Sequence, residues 1–271
     1  MIIELKLTSK SMSPIIPINY PYPLSAAIYK ILSKGDAAYS DFLHGQGYGK
    51  GFKLFSFSQI NCSFSIIGDR MHILKPDISI YIAFHLPLAA EHFIKGLFQS
   101  SEIDIADRQP KASFIVSAVA RIPEPLQHHA EQEIVQIVAK PLSPVVAGLP
   151  DRMGYYDFLS PDSNDFAGNI VHNWRNKIAS CYDADTARDA LLIVSTSNGY
   201  QTPQCRLITI KTGTPAETKI KGWMQFGLRI TAERRFLDIL LHAGIGLYNA
   251  QGMGMITVNK PFPYERQKKS A

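Results

Sequence analysis

Apolar and polar residues alternate in some stretches of this chain and recur every three to four positions in others, and these two periods mark out its elements. Ile3, Leu5 and Leu7 alternate with polar neighbours, which predicts a half-buried strand with one face on a core. After Pro14-Ile15-Ile16-Pro17, the residues Leu24, Ala27, Ile28, Ile31 and Leu32 follow the i, i+3, i+4 rhythm of a helix from about Leu24 to Leu32. Gly35 breaks that pattern, and Asp36 is placed to cap a second short helix through Phe42-Leu43. Phe52–Ile60 and Asp77–Leu86 read as strands and Leu88–Phe98 as an amphipathic helix. Glu102–Ala106 and Ala112–Ile122 read as strands that complete a first sheet.

The second half repeats a similar order. Ile134–Ala139 is a predicted strand, Ser163–Tyr182 a mainly helical region, and Leu191–Val194 and Arg206–Ile210 are strands. Lys219–Ile230 reads as one strand, Thr231–His242 as a helix and Met253–Val258 as a final strand. The segment Ile122-Pro-Glu-Pro-Leu-Gln-His-His129 reads as the junction, dividing the chain into domains 1–125 and 126–271. The fold class predicted is α+β, two sandwiches of βαββαβ type. The duplication rests on element order, since no residue-level repeat accompanies it.

Composition narrows the picture only a little. With 271 residues, 46% of them hydrophobic and 19% charged, the chain can build substantial cores. Lys and Arg outnumber Asp and Glu by 28 to 23, a surplus that favours a polyanionic partner but is thin over this length. Three cysteines at unrelated spacings, Cys62, Cys181 and Cys205, indicate neither a zinc cluster nor a disulfide framework; buried, reduced thiols are expected. The N-terminus does not have the pattern of a signal peptide, and no run approaches about 20 uninterrupted apolar residues. A cytoplasmic location is expected.

Two segments differ from ordinary scaffold. His44-Gly-Gln-Gly-Tyr-Gly-Lys-Gly51 holds four glycines in eight residues together with an imidazole and an ammonium group. Glycine lets backbone approach a ligand closely, and it also serves a plain flexible connection. The second segment, Gly244-Ile-Gly246-Leu-Tyr-Asn-Ala-Gln-Gly252-Met-Gly254, has the spacing G-x-G-x5-G-x-G. It can form a nest of backbone N–H groups for phosphates, or a hairpin-like turn with bulges. Lys50-Gly51-Phe52 through Phe57 matches part of an RNA-recognition signature, although its aromatic residues serve a core equally well. His128 and His129 with Glu131 and Glu133 read as a solvated linker, and no metal site is expected.

Taken together, four stretches resemble the CRISPR-associated repeat-processing endoribonucleases of the RAMP superfamily. They are Pro17-Ile-Asn-Tyr-Pro-Tyr-Pro-Leu-Ser-Ala-Ala-Ile-Tyr29, Asp41-Phe-Leu-His-Gly-Gln-Gly-Tyr48, Phe52-Lys-Leu-Phe-Ser-Phe57 and the closing glycine segment. The resemblance implies two tandem ferredoxin-like, RNA-recognition-type domains. It implies metal-independent cleavage within each repeat of precursor CRISPR RNA, by attack of a ribose 2′-hydroxyl on the adjacent phosphate. The products would be a 2′,3′-cyclic phosphate and a 5′-hydroxyl, with no cofactor. Carried over by motif, the catalytic residues fall on Tyr29, His44 and Lys50. RNA contacts fall on Lys53, Gly244, Gly246, Tyr248, Asn249, Gly252 and Gly254. The implied partners are CRISPR repeat RNA and a CRISPR interference complex, with no membrane, and a monomer or homodimer.

The chemistry suits those residue types. An imidazole can take the proton of the 2′-hydroxyl or give one to the leaving 5′-oxygen, so His44 is general base or general acid. A lysine ammonium stabilises charge building on the phosphorane, and Lys53 competes with Lys50 for that role. Tyr29 orients the phosphate or donates a proton. Many relatives carry a basic residue inside the closing glycine loop, whereas here that stretch is Leu247-Tyr-Asn-Ala-Gln251. Phosphate contacts there are therefore expected from backbone N–H groups, Asn249 or Tyr248, with added charge from the basic tail between Lys260 and Lys269.

Overall fold

The computed structural model describes residues 1–107, 111–152, 156–197, 202–211 and 214–263. The first half runs β1 (Ile2–Ser9), β2 (Ile15–Pro17), α1 (Pro21–Gly35), α2 (Ala37–Gly45), β3 (Phe55–Phe57), β4 (Phe64–Ile67), β5 (Arg70–Ile73) and β6 (Asp77–Phe84). It closes with α3 (Pro87–Gln99), β7 (Glu102–Ile105) and β8 (Ala112–Ile122). The second half runs β9 (Ile134–Pro141), β10 (Gly148–Pro150), β11 (Tyr156–Phe158), α4 (Asn164–Cys181), α5 (Ala184–Asp189) and β12 (Ile193–Ser197). There follow β13 (Gln204–Ile210), β14 (Thr218–Met224), β15 (Gly227–Glu233), α6 (Arg234–Ala243) and β16 (Ile256–Pro263).

Each half is built on one antiparallel sheet, and the strand order is the same in both. The first sheet is ordered β3-β6-β1-β8 with β7 added at its edge, and the second β12-β15-β9-β16. In sequence terms the framework strands lie second, third, first, fourth in both sheets, the order of a ferredoxin-like βαββαβ unit. Helices cover one face of each. In the first half Ile3, Leu5 and Leu7 of β1 and Ile78, Ile80 and Ile82 of β6 share a core with Leu24, Ile28, Ile31 and Leu32 of α1. In the second, Val135, Ile137 and Ala139 of β9 pack with Ile170, Trp174 and Ile178 of α4 and Phe236 and Leu240 of α6.

Local chemistry explains several boundaries. Pro21 opens α1, where its missing N–H costs nothing and its fixed φ already suits a helix. Asp36 stands extended between the two helices, and its carboxylate accepts from the Tyr39 amide at 2.8 Å, capping α2. The expected strand 219–230 is in fact two: β14 ends at Met224, Gln225 turns the chain at φ 60°, and β15 starts at Gly227. β14 pairs with β13 in a separate ribbon while β15 enters the main sheet. Thr231–Glu233 continue β15 rather than opening α6, because they pair with Ile134–Gln136 of β9. The expected strand 52–60 shrinks to Phe55–Phe57, Leu54 having φ 52°. The β4–β5 hairpin, joined to β2, was not expected at all.

Candidate active site

Tyr29, His44 and Lys53 meet at the end of α2. The helix delivers His44 in its last turn, where the imidazole is exposed. The Tyr29 ring, from α1, meets it edge-on with centroids 5.0 Å apart, and the same phenol packs on Phe55 at 5.5 Å. Burial pushes the Tyr29 phenol up beyond its ordinary range. The hydroxyl therefore keeps its proton near neutral pH and is a donor rather than a base.

Lys53 has a role that spacing alone did not show. Its Nζ donates to the backbone carbonyl of His44 at 2.8 Å. That carbonyl belongs to the last turn of α2, and the Tyr48 amide that would continue the helix bonds to Phe52 instead. Lys53 thus caps the helix beneath the imidazole, and burial lowers its pKa. Lys50 points elsewhere. It sits at the tip of a turn closed by two Tyr48–Phe52 backbone bonds of 2.8 Å. Its exposed ammonium donates to Asn176 Oδ1 on α4 at 3.1 Å.

The closing glycine loop is a packed element and not an open nest. Gly244, Gly246, Gly252 and Gly254 are buried and have φ of +78°, +72°, +85° and +72°. A Cβ on Gly246 would lie 2.2 Å from the Val146 carbonyl oxygen, and one on Gly254 2.0 Å from that of Ile245. Glycine is needed at both for space as well as for φ. The amides are engaged: Gly244 donates to Leu240, Gly252 to Asn249 and Gly254 to Pro144, at 3.0, 3.1 and 2.8 Å. Three of the four glycine amides that the expected phosphate nest would use therefore already have partners. Asn249 is engaged as well, its Nδ2 donating to the carbonyls of Ile245 and Met253 at 3.0 and 3.1 Å. Of the side chains expected to touch RNA here, Tyr248 keeps a free phenol; its ring stands edge-on to Tyr156 at 6.2 Å.

Beneath this loop lies a residue that the sequence reading missed. Lys177 of α4 is 1% exposed, and its Nζ donates to Gly244 O and Asn249 Oδ1, both at 2.6 Å, with Gly246 O at 3.4 Å. Its signal was available: it falls on the apolar stripe Phe166, Ile170, Trp174, Ile178 of its own helix. Burial pushes the ammonium down to about 7, opposed by the nearby Cys181 thiol. The loop is also tied to the first half, where Ser25 Oγ donates to Ala250 O at 2.6 Å and Ser56 Oγ to His242 O at 3.2 Å. Two consecutive residues of α4, Asn176 and Lys177, therefore hold the two glycine-rich segments.

Other candidates resolve simply. His129 pairs with Glu133 at 2.7 Å, and no group of three His, Cys, Asp or Glu able to hold a metal occurs among the described residues. The cysteines are free, but Cys62 and Cys181 are only half-buried and Cys205 is exposed, contrary to the expectation of buried thiols. Arg206, Lys219 and Lys221 make the β13–β14 ribbon a basic, exposed surface. The basic tail beyond Pro263 lies outside the described residues. No described helix is long and apolar enough to cross a membrane.

Two ferredoxin-like halves, with a glycine-rich loop running from the last helix to the last strand, define a tandem RAMP-type architecture. Its solved neighbours bear this out. A Cas6-related protein from Pyrococcus furiosus aligns with TM-score 0.76 at 19% identity, covering 95% of this chain and 98% of that one. A structure described as an RAMP protein binding different RNA substrates aligns with TM-score 0.74 at 18% identity, covering 96% and 100%. At such identity the likeness is one of fold. The family models are more specific: CRISPR-associated protein Cas6, N-terminal, matches residues 15–120, and CRISPR associated protein Cas6, C-terminal, matches 127–258. The chain belongs to the Cas6 family. The CRISPR-associated endoribonuclease Cas6 1 of Methanocaldococcus jannaschii is 27% identical over 184 residues, 68% of this chain and 67% of the relative.

Proposed function

We propose that this endoribonuclease cuts within the repeats of precursor CRISPR RNA by intramolecular transphosphorylation, without a metal. Membership in the Cas6 family supports repeat RNA as the substrate. The observation that carries the mechanism is the exposed His44 imidazole resting on the half-buried Tyr29 phenol, with Lys50 and Lys53 following in the same segment.

The 2′-oxygen attacks phosphorus, the bond from phosphorus to the 5′-oxygen breaks, and a 2′,3′-cyclic phosphate and a 5′-hydroxyl result. The nucleophile is part of the RNA, so no water has to be activated and no step requires a Lewis acid. His44 carries one of the two protons, either from the attacking hydroxyl or to the leaving oxygen, and solvent water accepts or supplies the other. Tyr29, kept protonated by burial, donates a hydrogen bond to a phosphate oxygen. Lys50, exposed and held only by a neutral amide, is the cation that swings to the phosphorane, while Lys53 fixes the end of α2. RNA contacts come from the basic β13–β14 ribbon and the Tyr248 phenol, with the glycines shaping the loop that presents it.

Incubation with CRISPR repeat RNA in EDTA tests the proposal. Cleavage of all-ribose RNA at one site, and binding without cleavage of RNA with a single 2′-deoxy substitution there, is the expected result. Binding without cleavage of either would instead make the protein a repeat-binding relative that does not cut.

A further inference from the structure

Helix α4 belongs to the second half, yet one of its faces meets the segment that carries the proposed catalytic lysine. Gly49 lies so close to it that a Cβ there would fall 2.0 Å from Ser180 Oγ. Ser180 Oγ donates to the Asn176 carbonyl at 2.8 Å, and Asn176 Oδ1 accepts from Lys50. One turn earlier, His172 Nε2 stands 3.2 Å from Asn176 Nδ2. Residues 172, 176 and 180 share one helix face at i, i+4 spacing.

The donor–acceptor inventory gives this chain a direction. Lysine has only donors, so the Asn176 oxygen must face Lys50 and its NH₂ must face His172. His172 Nε2 must then accept, which requires a neutral ring with its proton on Nδ1. An imidazolium would place N–H against NH₂. The amide would have to rotate, and its nitrogen would then face the Lys50 ammonium. A charged His172 therefore cannot hold the Asn176 amide in the orientation that tethers Lys50. Lys50 is the charged group that reaches this chain from the packed segment. On α4 itself the adjacent cation, Arg175, is committed to the carbonyls of Ala187, Arg188 and Ala190.

We propose that His172 and Asn176 are positioning residues that park Lys50 on α4 and release it when His172 takes up a proton. This rests on the reading of Lys50 as the catalytic cation. Asn176 thereby links the second half to chemistry carried out on the first.

The test is single-turnover cleavage of repeat RNA from about pH 5.5 to 8.5, with thermal unfolding as a check on folding. Wild type is compared with His172→Gln, Asn176→Leu and Lys50→Ala. Glutamine accepts from Asn176 but never charges, so His172→Gln is expected to cleave about fivefold to tenfold more slowly than wild type at the acid end. The two should converge at the alkaline end. Asn176→Leu, which frees Lys50 at every pH, should match wild type at the acid end and exceed it at the alkaline end. His172 is exposed, so its variant carries the test even if Asn176→Leu fails to fold. Profiles parallel to wild type, whether slowed or not, alongside an inactive Lys50→Ala would overturn the parking mechanism and leave the lysine's role intact. A fully active Lys50→Ala would overturn both.

Discussion

The two glycine-rich segments have four glycines each, and they do opposite things. In 44–51 the glycines let an exposed turn carry polar groups outward: His44 and Lys50 are exposed, and Gly45 has nothing within 4 Å of where a Cβ would go. In 244–254 they let a loop be buried, with carbonyls turned onto a lysine ammonium and neighbouring backbone or side chains too close for a Cβ. The first segment presents the groups proposed to react while Gly49 packs against Ser180, and the second is packed throughout. Glycine content therefore says that backbone comes close to something, and the burial of that something decides between ligand and core.

The sharpest way to break this contrast is at His44. His44→Ala should cut the cleavage rate by roughly 10²–10⁴-fold, about 2.7–5.5 kcal/mol, with repeat-RNA affinity nearly unchanged in a filter-binding titration. A variant that cleaves normally would remove the chemistry from the exposed turn. Next comes Gly254→Ala, where φ of +72° and the Ile245 oxygen at 2.0 Å predict a loss of roughly 2–4 kcal/mol in urea unfolding. Near-neutral behaviour there would show the buried loop to be slack.

Lys177 predicts a pH effect whose sign follows from its depressed pKa. An unfolded lysine titrates near 10.5 and the buried one near 7, so between those values the unfolded chain binds more protons. Stability from this group thus rises with pH across that window and is absent below about 7. Relative to Lys177→Met, wild type should gain up to about 1.4 kcal/mol per pH unit in unfolding free energy above pH 7. A flat difference would show that the proton stays on Lys177. Over the same window a neutral amine has two N–H donors for three oxygens, so amide protection factors in 244–254, corrected for the intrinsic pH dependence of exchange, should fall as global stability increases. The smallest effect belongs to Gly45→Ala, expected to stabilise by up to about 0.5 kcal/mol because it closes the last turn of α2 with open space around it.

Much of the framework was legible before any coordinates. The i, i+3, i+4 stripe of α1, the Asp36 cap and the run 112–122 of β8 are local patterns, and each element formed where they stood. The errors fell where periodicity carries no boundary. Apolar residues continue straight across Gln225, so 219–230 reads as one strand until a positive φ divides it between two sheets. The β4–β5 hairpin escaped because its strands are four residues each: β4 is exposed throughout, and the alternation of Arg70-Met71-His72-Ile73 is too short to stand out.

By itself the chain's text settled the tandem α+β plan and picked out the residue types able to move a proton or face a phosphate. Those depend on neighbours within a few positions, where spacing translates directly into shared faces. Only the tertiary structure decided which glycines are buried, that Lys53 caps α2, and that Lys50 reaches Asn176 across 126 residues of sequence. It alone brought Lys177 under a loop 67 to 72 positions away. The first of these contacts forms within one half, the last within the other, and Lys50–Asn176 between them; all need the chain to fold back on itself, and no local period encodes that distance.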